Sequence, residues 1–181
     1  MNFVEFQKNM RGAYVGGATG VLASGIVWIL AGAIGTYSSS LTAMLALFFG
    51  GMFIFPLSIL FSKLLSASGK HDSKNKLGPL ALETLPTLFG GLLVAFYVAQ
   101  FKLELFFPIM LLAIGARYFS FQTLYGLKEF WILGAALIFA GISCTVLSLP
   151  FISGAFIGGA LELIFALIIF RKTRAVVSAA A

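Results

Sequence analysis

Two charged side chains lie inside apolar stretches of the sequence and are the main candidates for chemistry. Arg117 is the only charge between Leu105 and Tyr125, and Glu162 is the only charge in a second stretch that ends at Phe170. An arginine at the centre of a membrane helix costs about 2.5–3.5 kcal/mol on insertion scales, so such a residue usually has a partner or a function. A carboxylate at the same depth would offset much of this cost through bidentate hydrogen bonds.

Helix geometry predicts that the two charges lie at nearly the same depth. Arg117 precedes Lys128 by eleven residues, or roughly 16 Å of helix, and Glu162 precedes Arg171 by nine residues, or roughly 14 Å. Both stretches run in the same direction across the membrane. We therefore predict a direct or water-mediated pair between Arg117 and Glu162, with Glu83 as the competing partner.

Two further polar side chains would complete a polar site within the membrane. Thr87 lies four residues after Glu83, which places both on one helix face, and Tyr118 directly follows Arg117. A buried ion pair can serve only to fix the register of two helices. The neighbouring polar groups favour the other interpretation, in which the charges line a cavity.

The sequence offers little that could support catalysis. Intramembrane hydrolysis usually needs a Ser–His pair, a pair of aspartates or a metal ion. The only histidine and the only aspartate are His71 and Asp72, adjacent in one polar loop, and the single cysteine, Cys144, lies in an apolar stretch. We therefore expect no enzyme activity, no catalytic residue, no metal and no cofactor.

Six transmembrane helices are predicted to position these residues. Hydrophobic residues make up 60% of the 181 residues and charged residues 10%, whereas soluble domains contain about 25% charged residues. A transmembrane helix needs about 20 mostly apolar residues. Stretches close to this length cover residues 13–35, 41–62, 80–100, 105–124, 130–149 and 151–170. The predicted fold is an all-α, polytopic integral membrane protein, with one domain over residues 1–181 and a polar loop at 63–79.

The distribution of basic residues predicts that both termini and the 63–79 loop are cytoplasmic. The positive-inside rule assigns the Lys- and Arg-rich side to the cytoplasm. Only Lys102 lies on the opposite side. The basic residues on the predicted cytoplasmic side are Lys8, Arg11, Lys63, Lys70, Lys74, Lys76, Lys128, Arg171, Lys172 and Arg174. Since the net charge of +6 is explained by topology signals, the expected partner is the lipid bilayer and not a nucleic acid.

Small residues at helical spacing predict two packing faces. Residues four apart share a helix face, and small side chains there let another backbone approach closely. The first face consists of Gly12, Gly16, Gly20 and Ser24, and the second of Gly154 and Gly158, which precede Glu162. The first face is expected to contact another helix of this chain, or else a second copy or a membrane partner subunit.

Three short segments resemble a family of small, multi-span bacterial membrane proteins that carries a domain of unknown function. They are FPLSILFSKLL at 55–65, KNKLG at 74–78 and IGARYF at 114–119. The resemblance implies a protein of the bacterial inner membrane. It implies no activity, substrate or catalytic residue.

Two functions are compatible with these features. The first is a small inner-membrane transporter or channel-like protein, in which Arg117 attracts an anionic group and Glu162 carries a coupling proton, with Glu83 nearby. The alternative is a non-transporting membrane subunit or scaffold that packs on a partner through the first-span glycine face, such as a substrate-binding subunit of an importer. A cavity that reaches Arg117 would favour transport, and a dry core with an exposed glycine groove would favour the subunit.

Overall fold

The computed structural model describes residues 2–178, with side chains for residues 2–175, and this part of the chain is helical without any strand. The helices are α1 (Phe3–Tyr14), α2 (Ala18–Tyr37), α3 (Ser40–Leu64), α4 (Leu80–Glu83), α5 (Leu85–Ala99), α6 (Phe106–Tyr125), α7 (Glu129–Val146) and α8 (Ser153–Ser178). Six segments are long and apolar enough to cross a membrane. The first combines α1 and α2, the third combines α4 and α5, and the fourth combines α6 with the turn before it. Helices α3, α7 and α8 form the other three. The predicted all-α fold with six spans is confirmed.

The first span is broken near its start, which corrects the continuous helix predicted over residues 13–35. Val15, Gly16 and Gly17 form a 3₁₀ turn between α1 and α2, with φ angles of 52°, 67° and 84°. Glycine adopts this left-handed backbone easily, whereas a β-branched residue such as valine does so at a cost. The two glycines therefore allow the chain to bend at this point.

Because of this bend, the first predicted glycine face is wrong as a single packing surface. Gly12 faces open space, since a Cβ atom built there meets nothing within 4 Å. A Cβ on Gly16 would lie 2.2 Å from Thr173 Oγ1 on α8, and one on Gly20 would lie 3.5 Å from Ser58 Oγ on α3. The four-residue spacing of Gly12, Gly16, Gly20 and Ser24 places them on one face only in an uninterrupted helix.

Other glycines make the close helix contacts. A Cβ on Gly134 of α7 would lie 2.7 Å from the carbonyl oxygen of Gly115 on α6, so these two backbones touch. Gly154 and Gly158 both face α6, and a Cβ on Gly158 would lie 2.6 Å from Leu111 Cδ2. Small residues thus let α7 and α8 approach α6, as expected for helices that pack in a membrane.

The spans follow one another around a ring that is open at one place. Each span packs on the next one in the chain, and α2 packs on α8, which joins the first and last spans. Within the described residues, one pair of consecutive spans is an exception. Helix α3 packs on α2 and α5 packs on α6, but α3 and α5 do not pack extensively on each other. Short connections keep consecutive helices together as antiparallel neighbours. The gap lies where the connection is longest, between Leu64 and Leu80.

Helix α1 and the loop after α3 meet at one end of the ring. The backbone N–H of Gly69 in this loop donates a hydrogen bond to the carbonyl oxygen of Ala13 at 2.9 Å. Arg11 Nη1 donates to the carbonyl oxygen of Tyr125, at the end of α6, at 2.8 Å. At the same end Lys172 forms an ion pair with a residue of α7. The loops and termini that carry the ten basic residues therefore share one end of the protein.

We predict that this end faces the cytoplasm, because the positive-inside rule places clustered Lys and Arg there. Reporter domains fused after Ala181, which lies outside the described residues, and inserted within residues 66–76 should both report a cytoplasmic location. A fusion near Lys102 should report the opposite side and serves as the control. A periplasmic signal from either of the first two positions would contradict the topology.

Candidate functional site

Arg117 is held at the end of α4 by neutral hydrogen-bond acceptors. Its Nε donates to Thr84 Oγ1 at 2.9 Å and its Nη2 to the carbonyl oxygen of Ala81 at 3.2 Å. Thr84 Oγ1 donates in turn to the same carbonyl at 2.9 Å. The guanidinium also lies over the ring of Phe121, 5.1 Å from its centroid. No carboxylate among the described residues forms an ion pair with Arg117, so the groups that its guanidinium contacts directly are neutral.

The predicted direct pair between Arg117 and Glu162 is therefore wrong, and a water-mediated contact between them stays a prediction. Neither an ion pair nor a hydrogen bond joins them in the described structure, and Glu83 is exposed and does not replace Glu162. Consecutive residues of a helix point about 100° apart. Arg117 points towards α4, while the next residue, Tyr118, points towards α8. The depth estimate carried no information on direction around the axis of α6.

The partner of Glu162 is Tyr118, whose hydroxyl donates a hydrogen bond to Glu162 Oε1 at 2.6 Å. Glu162 is fully buried, at 0% exposure, and its Oε2 has no hydrogen-bond partner among the described residues. The hydroxyl group of Ser24, on α2, lies next to both side chains. These three residues connect α2, α6 and α8 inside the ring.

Thr87 does not join the site, which corrects the predicted stripe of Glu83 and Thr87. Helix α4 ends at Glu83 and α5 begins at Leu85, so the two residues do not lie on one continuous helix. Both side chains are exposed. Thr84, at the junction of α4 and α5, contacts Arg117 instead. Its polarity was visible in the sequence, and Pro86, in the first turn of α5, is the signal that could have located the helix break beside it.

A cavity of about 370 Å³ lies in the gap of the ring and reaches Arg117. Pockets that bind small molecules usually measure about 300–1,000 Å³. The polar residues that line the cavity are Tyr14, Ser24, Ser58, His71, Arg117, Tyr118 and Tyr125. No cluster of three His, Cys, Asp or Glu side chains among the described residues could hold a metal ion. The polar groups that face this cavity are hydroxyl groups, one imidazole and the guanidinium of Arg117.

The loop after α3 contributes to the polar end of this cavity. The Tyr14 hydroxyl and His71 Nδ1 are hydrogen-bonded at 3.0 Å. Asn75 holds the loop on α1, because its Nδ2 donates to the carbonyl oxygen of Phe6 at 2.9 Å. His71 carried no signal in the sequence beyond being a single histidine in a polar loop, since Tyr14 is 57 residues away.

One family description covers most of the chain. The model of the Family of unknown function (DUF7010) matches residues 3–172. This match confirms the resemblance to a family that carries a domain of unknown function. No curated protein and no solved structure matches the chain.

Proposed function

The chain belongs to this family of unknown function, DUF7010, and we propose that it is a small membrane transporter that binds an anionic group at Arg117. The observation that carries the proposal is the cavity, which reaches a guanidinium held only by neutral groups. A cleft lined by one sign of charge with low-dielectric walls raises the local concentration of the opposite charge. An anion is therefore the ligand that this cavity attracts.

The geometry of Arg117 leaves hydrogen-bond donors for a ligand. A guanidinium group has five N–H donors, and the bonds to Thr84 and Ala81 use two of them. The fork geometry of the remaining donors matches a carboxylate or a phosphate group. Two bonds to protein and several free donors are what a positioned binding residue requires.

Glu162 is the residue that we propose to carry a coupling proton. Its carboxyl group is fully buried and makes one hydrogen bond, to Tyr118. Tyr118 also lines the cavity. A ligand that moves this tyrosine would change its hydrogen bond to the Glu162 carboxyl group, which supports a link between ligand and proton.

The alternative of a non-transporting subunit depended on a first-span glycine face that is open to a partner. Gly16 and Gly20 approach side chains of α8 and α3 of the same chain, so they are not available to a partner. The proposal keeps the bacterial inner membrane from the family resemblance and the cytoplasmic termini from the basic residues. It assigns no enzyme activity and no cofactor.

Transport requires that the cavity open to each side of the membrane in turn, and this can be tested with a single cysteine. Ile114 lines the cavity one helical turn from Arg117. In proteoliposomes of the Cys144→Ala protein, we expect Ile114→Cys to react with a membrane-impermeant, anionic methanethiosulfonate whether the reagent is outside or inside. Ile164→Cys on α8 is the matched control, since Ile164 is exposed on the outside of the ring and should react from neither side. Reaction of Ile114→Cys from one side only, or from neither side, would contradict transport.

A further inference from the structure

We propose that the anionic group bound at Arg117 belongs to a single-chain amphiphile, whose alkyl chain enters the cavity through the gap between α3 and α5. The proposal rests on the proposed function and specifies its substrate class. Three properties of the cavity support it: the change in polarity along its walls, the position of its opening, and its volume.

The walls of the cavity change from polar to apolar with distance from the loop after α3. On α6, Ile114 lies three residues before Arg117, or about 4.5 Å further from that loop. On α3, Gly51 lies seven residues before Ser58, which places it about 10 Å further than Ser58 from the loop after α3. Leu88 lines the same deep part from α5. The polar end thus fits a charged head group, and the deep end fits a chain without polar atoms.

The opening of the cavity faces the membrane. Phe55 on α3 and Leu82 on α4 both line the cavity, yet they are 62% and 68% exposed. They therefore form the two rims of the gap. Phe55 lies well inside its span, nine residues or about 13 Å before the end of α3 at Leu64. A molecule dissolved in the bilayer therefore reaches this opening directly.

The volume and the charge restrict the ligand further. A cavity of about 370 Å³ lies near the lower end of the range of about 300–1,000 Å³ for small-molecule pockets. It provides room for one alkyl chain with a compact head group, and not for two chains. The guanidinium of Arg117, whose direct partners are neutral, selects an anionic head group, such as a phosphate or a carboxylate, over a cationic or neutral one.

The test is the binding of decyl phosphate to the wild-type protein in decyl maltoside, measured by native mass spectrometry as a titration. The detergent has the same alkyl chain with a neutral head group, so binding above this background reports on the phosphate. Arg117→Gln should weaken binding at least about tenfold, because it removes the charged partner of a buried phosphate. Arg174→Gln is the matched control, since Arg174 also lies over an aromatic ring, that of Phe170, but outside the cavity. It should change the affinity less than about twofold.

A second pair of variants tests the position of the chain. Gly51 and Gly90 lie on α3 and α5, and a Cβ built on either meets nothing within 4 Å, so a larger side chain can begin at both positions. Only Gly51 lines the cavity. Gly51→Leu should therefore fill the deep end of the cavity. It should weaken the binding of decyl phosphate at least about tenfold, as expected when a pocket loses its free volume. Gly90→Leu should leave the affinity unchanged.

The possible results separate this inference from the proposed function. If inorganic phosphate binds as tightly as decyl phosphate, depends on Arg117 and ignores Gly51→Leu, the anion site stands and the amphiphile is refuted. If decyl phosphate binds equally to wild type, Arg117→Gln and Gly51→Leu, it coats the lipid-facing surface and the inference is wrong. If decyl phosphate shows no binding above the detergent background, the inference is also wrong. Binding that is lost in both cavity variants and kept in both controls would support it.

Discussion

Replacing Tyr118 with phenylalanine is expected to lower the free energy of unfolding by about 2 kcal/mol, within the range for a buried polar group that loses its partner. The hydroxyl of Tyr118 donates a hydrogen bond of 2.6 Å to Glu162 Oε1, and Glu162 Oε2 has no partner among the described residues. Glu162 is fully buried, so its carboxyl group loses a short hydrogen bond and keeps only the neighbouring Ser24 hydroxyl as a polar group of the protein. The loss can be measured by titrating the protein in mild detergent with dodecyl sulfate and following its helical circular dichroism.

A second substitution separates the hydrogen bond from simple packing. Replacing both partners of a buried hydrogen bond with apolar groups of similar shape is often nearly neutral, so Tyr118→Phe combined with Glu162→Met should recover most of the loss. Tyr37→Phe is the control, because Tyr37 is 91% exposed and should show no change. A Tyr118→Phe protein as stable as wild type, or a double variant less stable than Tyr118→Phe alone, would contradict this account of the pair.

The architecture could be predicted from the sequence because it depends on length and composition. Six apolar stretches in a chain with few charges fit only a helical membrane protein, and short connections make consecutive helices neighbours. The opening in the ring could not be predicted in the same way. The connection between Leu64 and Leu80 is long enough for α3 and α5 either to touch or to stand apart, and only the packing of each on α2 and α6 decides between these arrangements.

For the polar site, the sequence predicts the depth of each residue in the membrane but not its direction around the helix axis. Distance along a helix placed Arg117 and Glu162 at one level, and a residue adjacent to Arg117 does contact Glu162. The direction in which each side chain of α6 points could not be predicted. Every side of this helix carries apolar residues, so the sequence does not show which side faces α8. The contact with Thr84 depends on the break between α4 and α5, for which Pro86, in the first turn of α5, is the sequence signal.

The prediction of the first glycine face was wrong for a related reason. Glycines spaced by four residues occur both in helices that pack closely and in bends that need a left-handed backbone. Gly16 and Gly17 belong to the second class, with positive φ angles, whereas Gly154 and Gly158 belong to the first. The sequence alone does not distinguish the two uses, since the distinction depends on where α1 leaves the axis of α2.

Replacing Arg117 with glutamine is expected to abolish the preference of the cavity for anions. Among the described residues, Arg117 is the only Lys or Arg that lines the cavity, and its hydrogen bonds go to neutral acceptors. Clefts with one sign of charge and low-dielectric walls raise the association rate of the opposite charge by about 10–10³-fold. The preference should therefore change at least about tenfold when this charge is removed.

The most direct measurement compares two thiol reagents of similar size and opposite charge at Ile114→Cys, in the Cys144→Ala protein. The sulfonate reagent should react faster than the trimethylammonium reagent, and adding Arg117→Gln should reduce the ratio of the two rates at least about tenfold. Adding Arg174→Gln instead should leave the ratio unchanged, because Arg174 lies outside the cavity. A ratio that is the same with and without Arg117 would contradict the central claim that this residue makes the cavity an anion site.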